Sequence, residues 1–184
     1  MDISIIFGGI MNQKPKKIFI LGMMGVGKTT IAKRLANHLG WTFYDTDQMI
    51  EEMENMSVSE IFASKGEHFF RAKEVMVLAN LKSLDRVVVS LGGGFPCHSN
   101  NMDALLKLGW CVYLTGTPAF IASRLKGSNL RPLLANANSK DDIESRLNDL
   151  LLDRSPIYEK ADITVGALNI SLDDLIKRIN ITPE

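Results

Sequence analysis

The 184-residue chain predicts a single α/β domain, a parallel sheet with helices on both faces. Three observations carry that expectation. Short runs rich in β-branched residues alternate with longer stretches of helical periodicity. Several of those runs are continuously apolar, as strands buried on both faces are. A glycine-rich turn joins the first run directly to the first helical stretch.

Lys17-Ile18-Phe19-Ile20-Leu21 is the first strand. After the glycine-rich turn, Ile31, Leu35, Ala36 and Leu39 recur at helical spacing, and Gly40 stands where a C-cap belongs. Trp41-Thr42-Phe43-Tyr44 reads as the second strand, ending at Asp45. A short acidic helix is expected from about Met49 to Glu54. Ser57-Val58-Ser59-Glu60 fits a capping box and opens a helix carrying Ile61 and Phe62. A further helix is expected from Glu67 to Leu84. Arg86-Val87-Val88-Val89-Ser90 is the clearest strand, and it runs into Gly92-Gly93-Gly94. Ser99 is the expected cap of a helix bearing Met102, Leu105 and Leu106, and Cys111-Val112-Tyr113-Leu114 is the fourth strand. Thr117-Pro118 pairs an N-cap with a proline at the first helical position, for a helix to about Leu125. The polar stretch from Gly127 to Asn138 reads as a mobile loop, and Ile143, Leu147, Leu150 and Leu151 mark the next helix. Ile163-Thr164-Val165 is the last strand, and Ser171 caps a final helix with Leu172, Leu175, Ile176 and Ile179.

Composition narrows the function classes. Lys and Arg number 21 against 21 Asp and Glu, so the formal charge is zero, which argues against a nucleic-acid binder and against a polybasic membrane-surface protein. With 46% hydrophobic residues the chain is not a disordered one. Two cysteines, Cys97 and Cys111, make neither a disulfide scaffold nor a four-cysteine zinc site. His38, His68 and His98 lack metal-ligand spacing. No apolar run reaches the roughly 18–20 residues that span a bilayer. The first residues, MDISIIFGGI, lack the positive region and cleavage site of a secretory signal, so a cytoplasmic protein is expected. Residues 1–16 read as an N-terminal extension, partly ordered at best, with Met11 an alternative start; residues 17–184 read as the domain.

Gly22-Met23-Met24-Gly25-Val26-Gly27-Lys28-Thr29 matches G-x-x-x-x-G-K-[ST] without a mismatch, after a strand and opening a helix. In such a P-loop the glycines let backbone N–H groups turn inward around a polyphosphate, and the helix N-terminus adds partial positive charge. Lys28 reaches the β- and γ-phosphates, and the Thr29 hydroxyl suits Mg²⁺. The expected nucleotide-binding set is Gly25, Val26, Gly27, Lys28, Thr29 and Thr30. The motif alone does not choose between GTPases, ATPases, motors and small-molecule kinases. One P-loop in 184 residues leaves little room for a motor, and no Asn-Lys-x-Asp guanine-reading motif is present, which leaves mostly small-molecule kinases.

Further motifs follow in a fixed order: Asp45-Thr46-Asp47, Ile61-Phe62, Gly66-Glu67-x-x-Phe70-Arg71, Gly92-Gly93-Gly94, Arg131-Pro132-Leu133-Leu134, Arg154-x-x-x-Tyr158 and Ala161-Asp162. In this order behind a P-loop, from about Lys17 to Val165, the chain closely resembles the shikimate kinases. The resemblance implies ATP- and Mg²⁺-dependent phosphorylation of the shikimate 3-hydroxyl, a step toward chorismate and the aromatic amino acids. It implies a nucleoside-monophosphate-kinase-like fold, its five parallel strands in order 2-3-1-4-5, with substrate bound by about residues 45–95 and a lid at about 127–138. It passes the substrate hydroxyls to Asp47, the neighbourhood of Mg²⁺ to Asp45 along with Thr29, and the substrate carboxylate to Arg71 and Arg154. Backbone contacts fall to Gly92, Gly93 and Gly94, adenine packing to Arg124, and phosphate contacts on lid closure to Arg131. Lys28, Asp47 and Arg131 are thus the expected catalytic group, in a monomer with no nucleic-acid or membrane partner.

The chemistry of the residues agrees with that implication. Planar arginines suit a carboxylate, a carboxylate suits a hydroxyl proton, and phosphoryl transfer needs positioning and charge neutralisation. Another small P-loop kinase, such as a gluconate kinase, and a non-catalytic nucleotide-binding module stay open as alternatives. Two departures from the family pattern stand out. Asn55 occupies a position where the family often has glycine, and Ser90-Leu91 precede the triple glycine in place of the common Thr or Ala-Thr. Asn tolerates left-handed conformations, so the turn at Asn55 is expected to survive.

Overall fold

The structure is a computed structural model and describes residues 16–125, 139–168, 170–179 and 181. Five strands form one parallel sheet: β1 (Lys17–Leu21), β2 (Thr42–Asp45), β3 (Val87–Ser90), β4 (Trp110–Thr115) and β5 (Ile163–Gly166), in the order β2-β3-β1-β4-β5. The order implied by the resemblance is the order found. β1 is central because it is apolar on both faces: Ile18, Phe19, Ile20 and Leu21 are all fully buried. Phe19 pairs with Val89 on one side and Cys111 on the other, so each peptide group of β1 has a neighbour on both edges.

Seven helices are seen among the described residues: α1 (Lys28–Leu39), α2 (Thr46–Glu54), α3 (Val58–Ser83), α4 (Asn101–Leu108), α5 (Pro118–Leu125), α6 (Lys140–Tyr158) and α7 (Leu172–Ile179). Several caps are those expected. Gly40 ends α1 in the left-handed region, Ser57 and Glu60 form the capping box of α3, and Ser171 accepts from the Asp174 N–H at 3.3 Å. Asn55 adopts φ 52°, the left-handed turn anticipated for it.

Other boundaries differ from expectation, each for a local reason. Trp41 is not in β2, because its N–H is spent on the Ala36 carbonyl at the C-terminus of α1. Arg86 has φ 52°, so β3 begins one residue later. α2 starts at Thr46, not near Met49, because the Asp45 carboxylate caps it by accepting from the Asp47 N–H. The two helices expected after Ser57 are one element, α3, kinked where Gly66 sits at φ 78° and ψ 171°. Ser99 does not cap α4. Asn100 precedes that helix, and a short 3₁₀ turn over Phe95–Cys97 with the Asn101 amide bonded to the Phe95 carbonyl sets its entry. α6 runs on through Pro156, with Arg154 and Tyr158 on its last turns.

The α2–α3 corner is held by charge as well as packing. Glu54 on α2 reaches Lys65 at 2.7 Å and Lys73 at 2.6 Å, one on each side of the Gly66 kink. The strand ends then place the site. Asp45 and Ser90 sit side by side at the carboxyl ends of β2 and β3, next to the turn that leaves β1, where open parallel sheets bind ligands.

Candidate active site

Residues 22–29 wrap the N-terminus of α1. Gly27, the residue before the helix, has φ 111°, a conformation that a side chain would strain. Lys28 is nearly buried, and its ammonium donates to the Met23 carbonyl at 2.9 Å, so it lies folded over its own loop. The Thr29 hydroxyl donates to the Asp45 carboxylate at 3.0 Å and lies 3.2 Å from the Ser90 hydroxyl. Two hydroxyls and a carboxylate are hard oxygen ligands. That set fits a magnesium ion held mainly by phosphates and water. A broad, open cavity lies over this group, with Gly25, Thr30 and Leu125 on its wall. Arg124 stands at its rim, within 3.7 Å of where a Cβ on Gly27 would be. Val26 is buried, and its N–H turns back to the Met23 carbonyl at 3.4 Å.

A second, smaller cavity lies between α2, α3, α6 and the turn after β3. Its wall combines charged side chains, Asp47, Arg71, Glu74 and Arg154, with apolar ones, Met24, Val58, Phe62 and Phe70. Asp47 lines both cavities and is the carboxylate shared between them.

The triple glycine explains how so much charge is packed here. A Cβ on Gly92 would lie 2.2 Å from Asp47 Oδ1, and one on Gly94 would lie 2.8 Å from Arg71 Nη1. A Cβ on Gly93 would lie 3.3 Å from Arg154 Nη1. The turn is bare so that three charged side chains can converge on it. It is pinned by the Gly92 N–H, which donates to the buried Thr46 hydroxyl at 2.8 Å.

Arg71 is gripped on both sides. Its Nη2 donates to Glu67 at 2.7 Å, and its Nη1 meets both oxygens of Glu74 at 3.0 Å. Burial works against the Arg71 charge, but the two carboxylates outweigh it and hold the guanidinium above its ordinary pKa. Glu74 is almost inaccessible, and burial lifts its carboxyl from 4.5 to about 7 despite Arg71; the nearby Asp47 adds to the rise. Arg154 is also buried, and its Nη1 has no hydrogen-bond partner among the described residues. A guanidinium nitrogen left unpaired at a cavity wall is an anion site in waiting.

Glu74 carries a pH prediction. Its native pKa lies above its ordinary value, so the native state holds that proton more tightly than the unfolded chain does. The resulting stability is full below about pH 4.5 and is lost as pH rises toward about 7. Urea unfolding of wild type and Glu74→Gln from about pH 5 to about pH 8 should show wild type losing ground to the variant as pH rises. A difference that stays constant across that range would remove Glu74 as the cause.

Among residues named from sequence, Asp45, Asp47, Thr29, Thr30, Lys28, Gly25, Gly27 and Arg124 gather at the first cavity, and Asp47, Arg71, Arg154 and Gly92–Gly94 at the second. Arg131 and the rest of the expected lid lie outside the described residues. Leu91 faces the first cavity, not the second. Sequence reasoning missed Glu74 and Ser90. The only signal for Glu74 was its position three residues after Arg71, on the same helical face.

A family model described as "Shikimate kinase" matches residues 24–182. The shikimate kinase of Prosthecochloris aestuarii is 35% identical over 175 residues, covering 91% of this chain and 89% of its own. Shikimate kinase from Bacteroides thetaiotaomicron superposes with a TM-score of 0.83 at 31% identity, over 90% of this chain and 98% of its own. The Acinetobacter baumannii enzyme in complex with shikimate gives 0.80 at 34% identity, over 91% of each chain. A gluconokinase from Sinorhizobium meliloti gives only 0.52 at 17% identity, a likeness of fold alone.

Proposed function

Because the chain belongs to the shikimate kinase family, we propose that its larger cavity receives ATP and its smaller one shikimate, with phosphoryl transfer at Asp47 between them. The observation that carries this is the position of Asp47, on the wall of both cavities at once. The reaction joins the shikimate 3-hydroxyl oxygen to the γ-phosphorus as the bond to the β-phosphate oxygen breaks and ADP leaves. Asp47 accepts the hydroxyl proton or orients it as that bond forms. Lys28 and the N–H groups of residues 25–30 hold the phosphates, and Lys28 follows the charge that moves to the leaving oxygen. Thr29 and Asp45, with Ser90 beside them, would hold Mg²⁺, which supplies neutralising charge at the phosphates. Arg71 and Arg154 flank the glycine turn and take the shikimate carboxylate; the apolar side chains of the cavity take the ring face. Arg124 packs near the adenine, and Arg131 adds charge over the phosphates from a lid at about 127–138.

The chain is read as one domain, 17–184, acting as a cytoplasmic monomer. Both cavities are built by elements of a single chain, and no helix among the described residues is long and apolar enough to cross a membrane.

A coupled assay for ADP release tests the reading. Mg²⁺-dependent turnover is expected with shikimate, and little with gluconate or a nucleoside monophosphate. Turnover with gluconate and none with shikimate would give the site to the alternative kinase. Tight binding of ATP and shikimate without turnover would make the chain a binding module.

A further inference from the structure

Tyr158 lines neither cavity, yet it joins the parts that form them. It is fully buried near the end of α6, its ring tilted against Tyr113 at 5.2 Å between centroids. Its hydroxyl donates to the Gly93 carbonyl and lies 3.8 Å from the sulfur of Met23, in the phosphate loop. Arg154 stands one helical turn before it, and its guanidinium acts electrostatically on the same hydroxyl. Burial pushes this hydroxyl above the ordinary tyrosine range, which keeps it a protonated donor.

The peptide bond makes this contact directional. In a trans peptide the Gly93 carbonyl and the Gly94 N–H lie in one plane and point opposite ways. All peptide bonds of the described residues are trans. Gly93 and Gly94 line the substrate cavity, whereas Tyr158 sits behind them. Drawing the Gly93 carbonyl back toward Tyr158 therefore turns the Gly94 N–H forward. On that side Arg154 Nη1 is 3.3 Å from the Cβ position of Gly93, and Arg71 Nη1 is 2.8 Å from that of Gly94. Planarity of the peptide thus turns the N–H toward the cavity that Arg71 and Arg154 also line.

We infer that Tyr158 is a positioning residue that locks the Gly93–Gly94 peptide, so that the backbone contact already expected of the glycine turn is presented, through the Gly94 N–H, to the substrate carboxylate beside Arg71 and Arg154. The inference rests on shikimate occupying the smaller cavity. It differs from that reading in assigning a function to a side chain the substrate never touches. Tyr158 keeps the glycine turn from rotating, a freedom that three consecutive glycines would otherwise permit.

Tyr158→Phe keeps the ring and removes only the hydroxyl. The expected result is a KM for shikimate raised roughly tenfold, as for the loss of one aligned charge-assisted hydrogen bond, with kcat within about threefold and the KM for ATP nearly unchanged. The penalty should vanish for a shikimate analogue whose carboxylate is replaced by a hydroxymethyl group, measured by binding, because the lost donor then has no anion to meet. A lowered Tm with an unchanged shikimate KM would make Tyr158 a purely packing residue. An equal penalty for both ligands would likewise overturn the inference. A measurement on wild type stands apart from any variant. The Gly94 amide proton should move downfield in NMR spectra when shikimate is added, and an unmoved resonance sinks the idea even if Tyr158→Phe does not fold. Wild-type turnover with shikimate, run alongside, shows whether the reading of the cavity itself holds.

Discussion

Asp47→Asn should lower kcat by about 10²–10⁴-fold while leaving the KM for ATP within about twofold. The substitution is close to isosteric, and the cap of α2 uses the Asp47 backbone N–H. The Asp47 N–H donates to the Asp45 carboxylate at 3.1 Å, so the start of α2 does not depend on the Asp47 side chain. The bare face of Gly92 accepts an amide as readily as a carboxylate. What the variant lacks is an acceptor for the hydroxyl proton and a negative charge between the cavities. A second readout follows from that charge. Asp47 is among the groups that push the Glu74 carboxyl up, so the variant should lower the pKa of Glu74 and shift the pH range over which Glu74 weakens the fold. Steady-state kinetics and urea unfolding at several pH values check both. A variant within threefold of wild-type kcat would take Asp47 out of the chemistry.

Gly92→Ala should cost about 10²-fold in kcat with the fold retained. The new methyl would lie 2.2 Å from Asp47 Oδ1, and the carboxylate is the part that can move. A shift of about 1 Å in a reacting group is enough for a loss of this size. The backbone has no reason to follow, because the Gly92 N–H keeps its bond to Thr46 and the alanine needs no unusual dihedral. Gly109→Ala is the contrasting control. Its methyl would meet the Lys17 carbonyl at 2.3 Å, in the backbone of the central strand, far from either cavity. It should lower Tm and leave kcat per folded molecule unchanged. Equal kinetic losses in the two variants would mean that Gly92 acts through general stability and not through Asp47.

Much of this architecture was legible because its signals are local. β1 runs from Lys17 to Leu21 as its apolar run indicates, and the phosphate loop, the Ser57 capping box and the Thr117-Pro118 helix start each use neighbours a few residues apart. The misreadings come from groups with distant partners or two tasks. Asp45 caps α2 and also accepts from Thr29, so a residue that looks like the end of a strand is the start of a helix as well. Ser99 offers a good cap by composition, but the Asn101 side chain ties the helix entry to Phe95 and leaves Asn100 at the boundary. Glu74 reads as an ordinary surface acid of an amphipathic helix. Only the packing of α3 beside the glycine turn removes it from water and makes it a partner of Arg71. The triple glycine was noticed as a pattern, but its reason lies in three side chains that arrive from α2, α3 and α6.

The ion pairs at the Gly66 kink give this corner the mechanics of a braced frame. Gly66 has open space where a side chain would stand, so no packing on that side stiffens the elbow. Glu54 acts as a cross-tie, since Lys65 and Lys73 anchor it to the two arms of α3, and a triangle cannot shear without stretching a side. The stretch that carries Arg71 is one of those arms. Its stiffness is therefore set partly by charge, and charge is screened by dissolved ions. Added salt slackens the brace, so the compliance of the wall that meets the substrate carboxylate becomes a property of the surrounding solution as well as of the protein.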